Sequence, residues 1–110
     1  MRWLGTARTA VRAFPADVRQ DVGYQLYLLQ LGEEPTDWRP MPSVGPGACE
    51  IRVHLRGEYR VLYVATRPEA VYALHAFVKK TRRTRMADLE LGRARLRDLR
   101  QRGWKRTCLP

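Results

Sequence analysis

Three short runs between Glu50 and Val78 constrain what this chain can fold into more than any other feature. Glu50 to Leu55 alternates Ile51, Val53 and Leu55 with Glu50, Arg52 and His54, the period-two signature of a strand with one wet face. Gly57 marks a hairpin, and Tyr59 to Ala65 is the predicted return strand. Thr66 to Glu69 then turns the chain into Ala70–Val78, rich in the branched and aromatic side chains that suit a pleated strand. The predicted unit is an antiparallel meander. If Arg56, Gly57 and Glu58 form a three-residue loop, Val53 faces Val61 and Ile51 faces Tyr63, and Arg52, His54 and Arg60 share the other face. A slip of one residue scatters them. His75 has the parity of Val71, Ala73 and Phe77, so alternation alone leaves either face of the third strand as the core.

Helical patterns flank the meander. Trp3 and Leu4 are candidates for an edge strand, and Thr6 is placed to cap a short helix through about Ala13. A second helix is predicted from Pro15 to Leu31, with proline in the first turn, Asp17 near the positive end and Gly32 as the stop. Val18, Val22, Leu26 and Leu29 form its core stripe; Tyr24, Tyr27, Leu28 and Leu31 widen it enough to imply more than one packing neighbour. Residues 32–48 are rich in proline and glycine and read as a connection without helix or strand, anchored by Trp38, Met41 and Val44. After a basic hinge over Lys79–Arg85, a last helix is predicted from Met86 to Arg102. Leu89, Gly92, Leu96 and Leu99 line its inner side, Gly103 ends it, and Trp104–Pro110 is a tail.

At 110 residues this is an expected single domain with room for one site. Its formal charge of +10 points to a polyanionic or acidic partner. The excess is unevenly placed: residues 79–110 carry 12 basic against three acidic side chains, while residues 1–78 carry nine against eight. A terminal helix rich in arginine is often only a solvated face, but the hinge lysines and arginines shift the balance toward phosphate. No apolar run is long enough to span a membrane and no signal-like core is present, so a soluble, cytoplasmic protein is expected. Cys49 and Cys108 are expected to stay reduced. Cys49, His54, His75 and Cys108 lack zinc spacing, and neither a phosphate-cradling glycine loop nor a nucleophile elbow occurs. No metal or small-molecule cofactor is expected.

Two N-terminal helices, a Gly/Pro-rich loop, a three-stranded meander and a basic end together resemble the toxins of the RelE/ParE superfamily, with the closer likeness to its HigB-like, phage-related branch. The resemblance is carried by Val22-Gly23-Tyr24, Leu26 and Leu29 through Gly32, by Glu50-Ile51-Arg52-Val53, and by Tyr59-Arg60-Val61 with Tyr63-Val64. Its most specific run is Tyr72-Ala73-Leu74-His75-Ala76-Phe77 followed by Lys79-Lys80, and it covers about Trp3 to Leu99. It implies an α+β, RelE-like fold, with two N-terminal helices packed on a small antiparallel sheet and a basic C-terminal helix. It further implies a type II toxin that cleaves mRNA during translation on the ribosome. A cognate antitoxin, commonly with a helix-turn-helix domain (HigA-like), would silence it. The same fold also hosts gyrase-directed toxins that act by binding, and a basic RNA-binding accessory protein is a third reading, so function rests on the site.

Metal-free RNA cleavage needs a proton acceptor for the 2′-hydroxyl, cations for the pentavalent phosphate and a proton donor for the leaving 5′-oxygen. The catalytic candidates are Arg60, His75, Lys80 and Arg52. Histidine is the one side-chain type whose unperturbed pKa brackets neutrality, so His75 can act as acid or base, against a structural role in the strand. The resemblance aligns Arg60 with the arginine that follows an aromatic residue in the middle strand of RelE-like nucleases, Arg52 with the family's Glu-Ile-Arg run, and raises Lys80 above an ordinary surface lysine. The plain alternative for Arg52 is a salt bridge to Glu50 or Glu58. Lys79, Arg82, Arg83, His54 and Tyr59 are the RNA-binding candidates, the tyrosine by stacking on a base and His54 as second choice for proton transfer.

Overall fold

The computed structural model describes residues 1–108, with side chains as far as Gln101. Its elements are β1 (Arg2–Trp3), α1 (Ala7–Arg12), α2 (Ala16–Gln30), β2 (Trp38–Pro40), β3 (Ala48–His54), β4 (Glu58–Val64), β5 (Tyr72–Val78) and α3 (Met86–Cys108). The sheet order is β1-β5-β4-β3-β2. The meander β3-β4-β5 is antiparallel as predicted, and β2 joins β3 antiparallel. β1 pairs parallel with β5, so the fold is α+β with a mixed sheet rather than an antiparallel one. β2 also corrects the reading of residues 32–48 as strandless. Three residues are too few for a periodic signal, and Pro40 is tolerated because the strand lies at an edge.

The hairpin register differs from expectation by two residues. Ile51 lies opposite Val61, Arg52 opposite Arg60, Val53 opposite Tyr59 and His54 opposite Glu58, so the loop is Leu55-Arg56-Gly57. Arg56 at φ 51° and Gly57 at φ 150° make the reversal. A shift of two preserves the side-chain faces, and Arg52, His54 and Arg60 remain on one side.

Between β4 and β5, Leu62 pairs with His75 but Tyr63 pairs with Ala73, which makes Leu74 the extra residue of a β-bulge. The bulge breaks the parity that left β5 ambiguous. Ala73 and Ala76 enter a core with Val18, Val22 and Leu26 of α2 and Val11 of α1, whereas Leu74 and Phe77 face a second core with Leu96 and Leu99 of α3. The sheet therefore separates two apolar layers. Met41 and Val44 belong to the second, as predicted for the loop, while Trp38 is half-buried in β2.

α2 ends where glycine was expected to stop it. Gly32, at φ 83°, donates its N–H to the Leu29 carbonyl at 3.0 Å, and Glu33 donates to Leu28 at 2.9 Å, a Schellman closure. Of the wider apolar face expected for α2, Leu28 is half-buried, but Tyr24, Tyr27 and Leu31 are more than half exposed. α1 is six residues long and lies over β5, so the sheet is the one extended neighbour of α2. α3 runs past Gly103 to Cys108, which corrects the predicted stop there. A glycine inside a long helix costs about 1 kcal/mol and terminates it only when the chain takes a left-handed cap. The rest of the predicted tail, residues 109–110, and the Cys108 side chain lie outside what is described.

Gly92 lets α3 pack closely on the sheet. A Cβ there would sit 2.8 Å from Leu62 Cδ1 and 3.3 Å from Val44 Cγ1. Gly23, inside α2, has no atom within 4 Å of the same position. Gly92→Val should therefore lower stability by about 2–3 kcal/mol through overpacking, whereas Gly23→Ala should raise it by about 0.5–1 kcal/mol through helix propensity. Urea unfolding midpoints moving in opposite directions would bear this out; a neutral Gly92→Val would disprove the packing of α3.

Candidate nucleic-acid interface

α3 sets its leucines on Leu62, Val64, Tyr72 and Leu74, toward one end of the sheet. Toward the hairpin end the same face is charged, because the polar positions of β2, β3 and β4 fall in line across the ladder. Arg39 lies opposite Glu50, and Arg52 lies opposite Arg60, which is in turn opposite Phe77. His54 and Glu58 close the row at the hairpin.

Arg60 is 3% exposed and Glu50 is fully buried. Arg60 Nη2 donates to Glu58 Oε1 at 3.0 Å and Nη1 donates to the Tyr59 carbonyl at 3.1 Å, while Nε stands 3.6 Å from Glu50 Oε1. Arg39 Nε donates to that same Glu50 oxygen at 3.0 Å. Glu50 Oε2, Arg52 Nε and Arg60 Nε are buried without a hydrogen-bond partner, and all three belong to this one cluster. Unsatisfied polar atoms gathered in one place are unusual in a folded protein and mark strained or functional sites.

His54 stands at the exposed edge of the cluster. Its Nδ1 is 2.7 Å from Glu58 Oε2 and its Nε2 is 2.8 Å from Asp37 Oδ2. The Glu58 carboxylate, then that of Asp37, favours the imidazolium and raises the His54 pKa above the ordinary 6.5. Glu58 is correspondingly lowered, chiefly by His54 and then by Arg60. Glu58 thus links a buried guanidinium to an exposed imidazole.

Beside the cluster runs a groove of about 540 Å³. Arg39, Lys79, Arg82 and Arg83 line it with cations, and Met41, Pro42, Met86 and Leu89 supply apolar surface. A cationic groove with a partly apolar lining can track a nucleic-acid backbone while accepting the face of a base.

Residues 9–97 match the family model described as Phage derived protein Gp49-like (DUF891). The chain belongs to this family. The Gp49-like proteins are a RelE-like toxin family, which makes the chain a toxin related to toxin-antitoxin systems and implies a cognate antitoxin. No curated protein matches the chain. Among the described residues, no helix is long and apolar enough to cross a membrane, and no three His, Cys, Asp or Glu side chains are grouped to hold a metal ion.

In this Gp49-like chain Arg52, Arg60 and His54 are brought together as the alternation predicted, and Lys79, Arg82 and Arg83 line one groove. Lys80 is exposed beyond the end of β5. His75 is elsewhere: 7% exposed, it lies under α3 with Nε2 2.8 Å from Asp88 Oδ1 and Nδ1 3.4 Å from Arg95 Nη1. Its ring stacks on Phe77 at 5.4 Å. Tyr59 is on the opposite face, edge-on to Phe14 at 4.9 Å, because odd positions of β4 point toward α1 and α2. Stacking on an RNA base alongside Arg60 is not open to it in this arrangement.

Asp37 and Arg39 were missing from the candidates because they fall in the loop that hid β2. Glu50 and Glu58 were legible as carboxylates near Arg52, but the bridges they make are to Arg60, buried at Glu50 and half-exposed at Glu58. Removing Arg60 takes away one of the two cations beside the buried Glu50 carboxylate, so Arg60→Ala should cost about 3 kcal/mol of stability. Chemical denaturation of that variant beside Arg52→Ala, whose loss should be smaller, checks the order. Equal stability of Arg60→Ala and wild type would mean that Arg60 is not the buried anchor.

Proposed function

We propose that this Gp49-like toxin is a ribosome-dependent endoribonuclease of the HigB-like branch, cutting mRNA during translation without a metal. A HigA-like, helix-turn-helix antitoxin is its proposed silencer. The observation that carries the reading is His54, an exposed imidazole bracketed by Glu58 and Asp37 on the sheet face that also bears Arg52, Arg60 and Arg39.

In the proposed reaction the ribose 2′-oxygen attacks the adjacent phosphorus and the P–O5′ bond breaks, leaving a 2′,3′-cyclic phosphate and a 5′-hydroxyl. His54 gives its Nε2 proton to the departing 5′-oxygen. Asp37, at that same nitrogen, is the nearest carboxylate able to take the 2′-hydroxyl proton. Arg52 and the lysines Lys79 and Lys80 offset the charge of the pentavalent phosphate. Lys79, Arg82, Arg83 and Arg39 hold the strand in the groove. Arg60, too buried to meet RNA directly, fixes Glu58 and through it the ring of His54. His75, enclosed by Asp88 and Arg95, is read as a clamp on α3 rather than a proton carrier.

The sign of the pH dependence follows from the raised pKa of His54. Its imidazolium is complete below the ordinary 6.5, persists above it, and is lost as pH rises through the raised value. Cleavage that uses His54 as acid should persist above pH 6.5 and fall as pH rises through the raised value. His54→Ala should remove that fall and slow single-turnover cleavage by about 100-fold or more.

A translating extract with a defined mRNA, its 5′ ends mapped by primer extension, tests the reading. New ends at codon boundaries that require both ribosomes and His54 are expected. His75→Asn should retain cleavage per folded molecule. Intact message with loss of DNA supercoiling would replace the nuclease by a gyrase-directed toxin, and salt-sensitive RNA binding without cleavage would replace it by an accessory RNA-binding protein.

A further inference from the structure

A second groove lies across the 41–46 loop from the basic one and continues along α3. It encloses about 600 Å³, with Val44, Pro46 and Leu96 as its apolar wall and Arg93, Arg97 and Arg100 as its rim. The loop is held tightly against the helix here. A Cβ on Gly45 would meet Leu96 Cδ2 at 2.5 Å, and Arg93 Nε donates to the Ser43 carbonyl at 2.6 Å. Arg97 and Arg100 are exposed. Met86, Leu89, Arg93, Arg97 and Arg100 recur every three or four residues, so the two grooves share one stripe of α3.

The basic groove shares Arg39 with the cluster around Arg60, whereas no lining residue of this groove belongs to that cluster. Here the wall is aliphatic and the cations are all arginine, whose planar forks suit carboxylates as well as phosphates. Aliphatic wall and arginine rim together complement a peptide that carries both leucine-like and acidic side chains. We infer that this groove is the seat of an acidic, aliphatic segment of the antitoxin. The inference rests on the toxin reading of the family but not on the nuclease chemistry. A segment seated there lies against the 41–46 loop whose other side forms the basic groove, so binding and silencing are physically joined.

The test is fluorescence anisotropy on the whole protein, with a fluorescein-labelled peptide of alternating leucine and glutamate as probe. A polyglutamate peptide and an oligouridine of the same charge serve as comparisons. The leucine-glutamate peptide should bind about tenfold more tightly than polyglutamate, and Arg97→Glu with Arg100→Glu should weaken it about tenfold. Arg82→Glu with Arg83→Glu, in the other groove, should leave its affinity unchanged, as should His54→Ala. The exposed positions chosen spare the core, and circular dichroism confirms that each variant is folded. Equal binding of polyglutamate, or equal loss from the Arg82 and Arg83 pair, would overturn the inference. Oligouridine binding that depends on Arg97 and Arg100 while the leucine-glutamate peptide does not would make the groove a nucleic-acid surface instead. Should the translating extract show no cleavage, the peptide result still stands or falls by itself.

Discussion

The clasp between α3 and the bulge in β5 is the contact on which the other features depend. The bulge turns Leu74 and His75 toward the same layer, and α3 meets them with two side chains two helical turns apart. Asp88 Oδ1 is 2.8 Å from the His75 ring, and Arg95 Nη1 donates to the Leu74 carbonyl at 2.8 Å. Arg95 Nη2 also donates to Thr6 Oγ1 at 2.8 Å. Thr6 makes no capping bond to α1, so its hydroxyl serves the long-range contact instead of the local one. One guanidinium therefore joins β5, α3 and the entry to α1. Gly5, at φ 53°, brings the backbone so close to that guanidinium that a Cβ would meet Arg95 Nε at 2.6 Å. With α3 pinned at this end, the hairpin end of the sheet face stays clear of the helix.

What occupies the cleared end is nearly neutral. Arg39, Arg52 and Arg60 are set among Asp37, Glu50 and Glu58, three cations against three anions before His54 is counted. A guanidinium as enclosed as that of Arg60 persists only beside carboxylates, since desolvation otherwise outweighs any use it has. Its carboxylate partner Glu58 then acts outward on His54. The buried guanidinium thereby fixes, through the half-exposed Glu58, an exposed imidazole whose pKa that carboxylate raises above the ordinary 6.5.

The sequence was most readable where side-chain period and face coincide. Alternation in β3 and β4 put Arg52, His54 and Arg60 on one face, and a two-residue error in register left that conclusion intact because the pleat repeats every two residues. In β5 the same method stalled. His75 could be assigned to a face only by knowing of the bulge at Leu74, and a bulge leaves no mark in composition when its residue is a leucine. Asp37 and Arg39 were hidden for a different reason: β2 exists because β3 offers it an edge, not because Trp-Arg-Pro favours a strand. The apolar width of α2 misled in the opposite direction, since Tyr24, Tyr27 and Leu31 read as buried and stand exposed. A periodic stripe reports that a helix has an apolar side, not that a neighbour exists to cover it.

The charge of +10 is thus divided in space as well as in sequence. The chemistry-bearing cluster is balanced, and the surplus lies on the hinge and the outer face of α3, where Arg82, Arg83, Arg93, Arg97 and Arg100 line the two grooves. Long-range attraction depends on net charge and falls with salt, whereas the geometry of an ion-paired cluster depends on contacts that salt screens weakly. Separating the two lets the surface draw in a polyanion without pulling the site apart. It also explains why the 41–46 loop matters more than its composition suggests. Pinned by the Arg93 bond to Ser43 and by Met41 and Val44 in the core, it is the wall common to both basic surfaces, so whatever occupies one groove bears on the other.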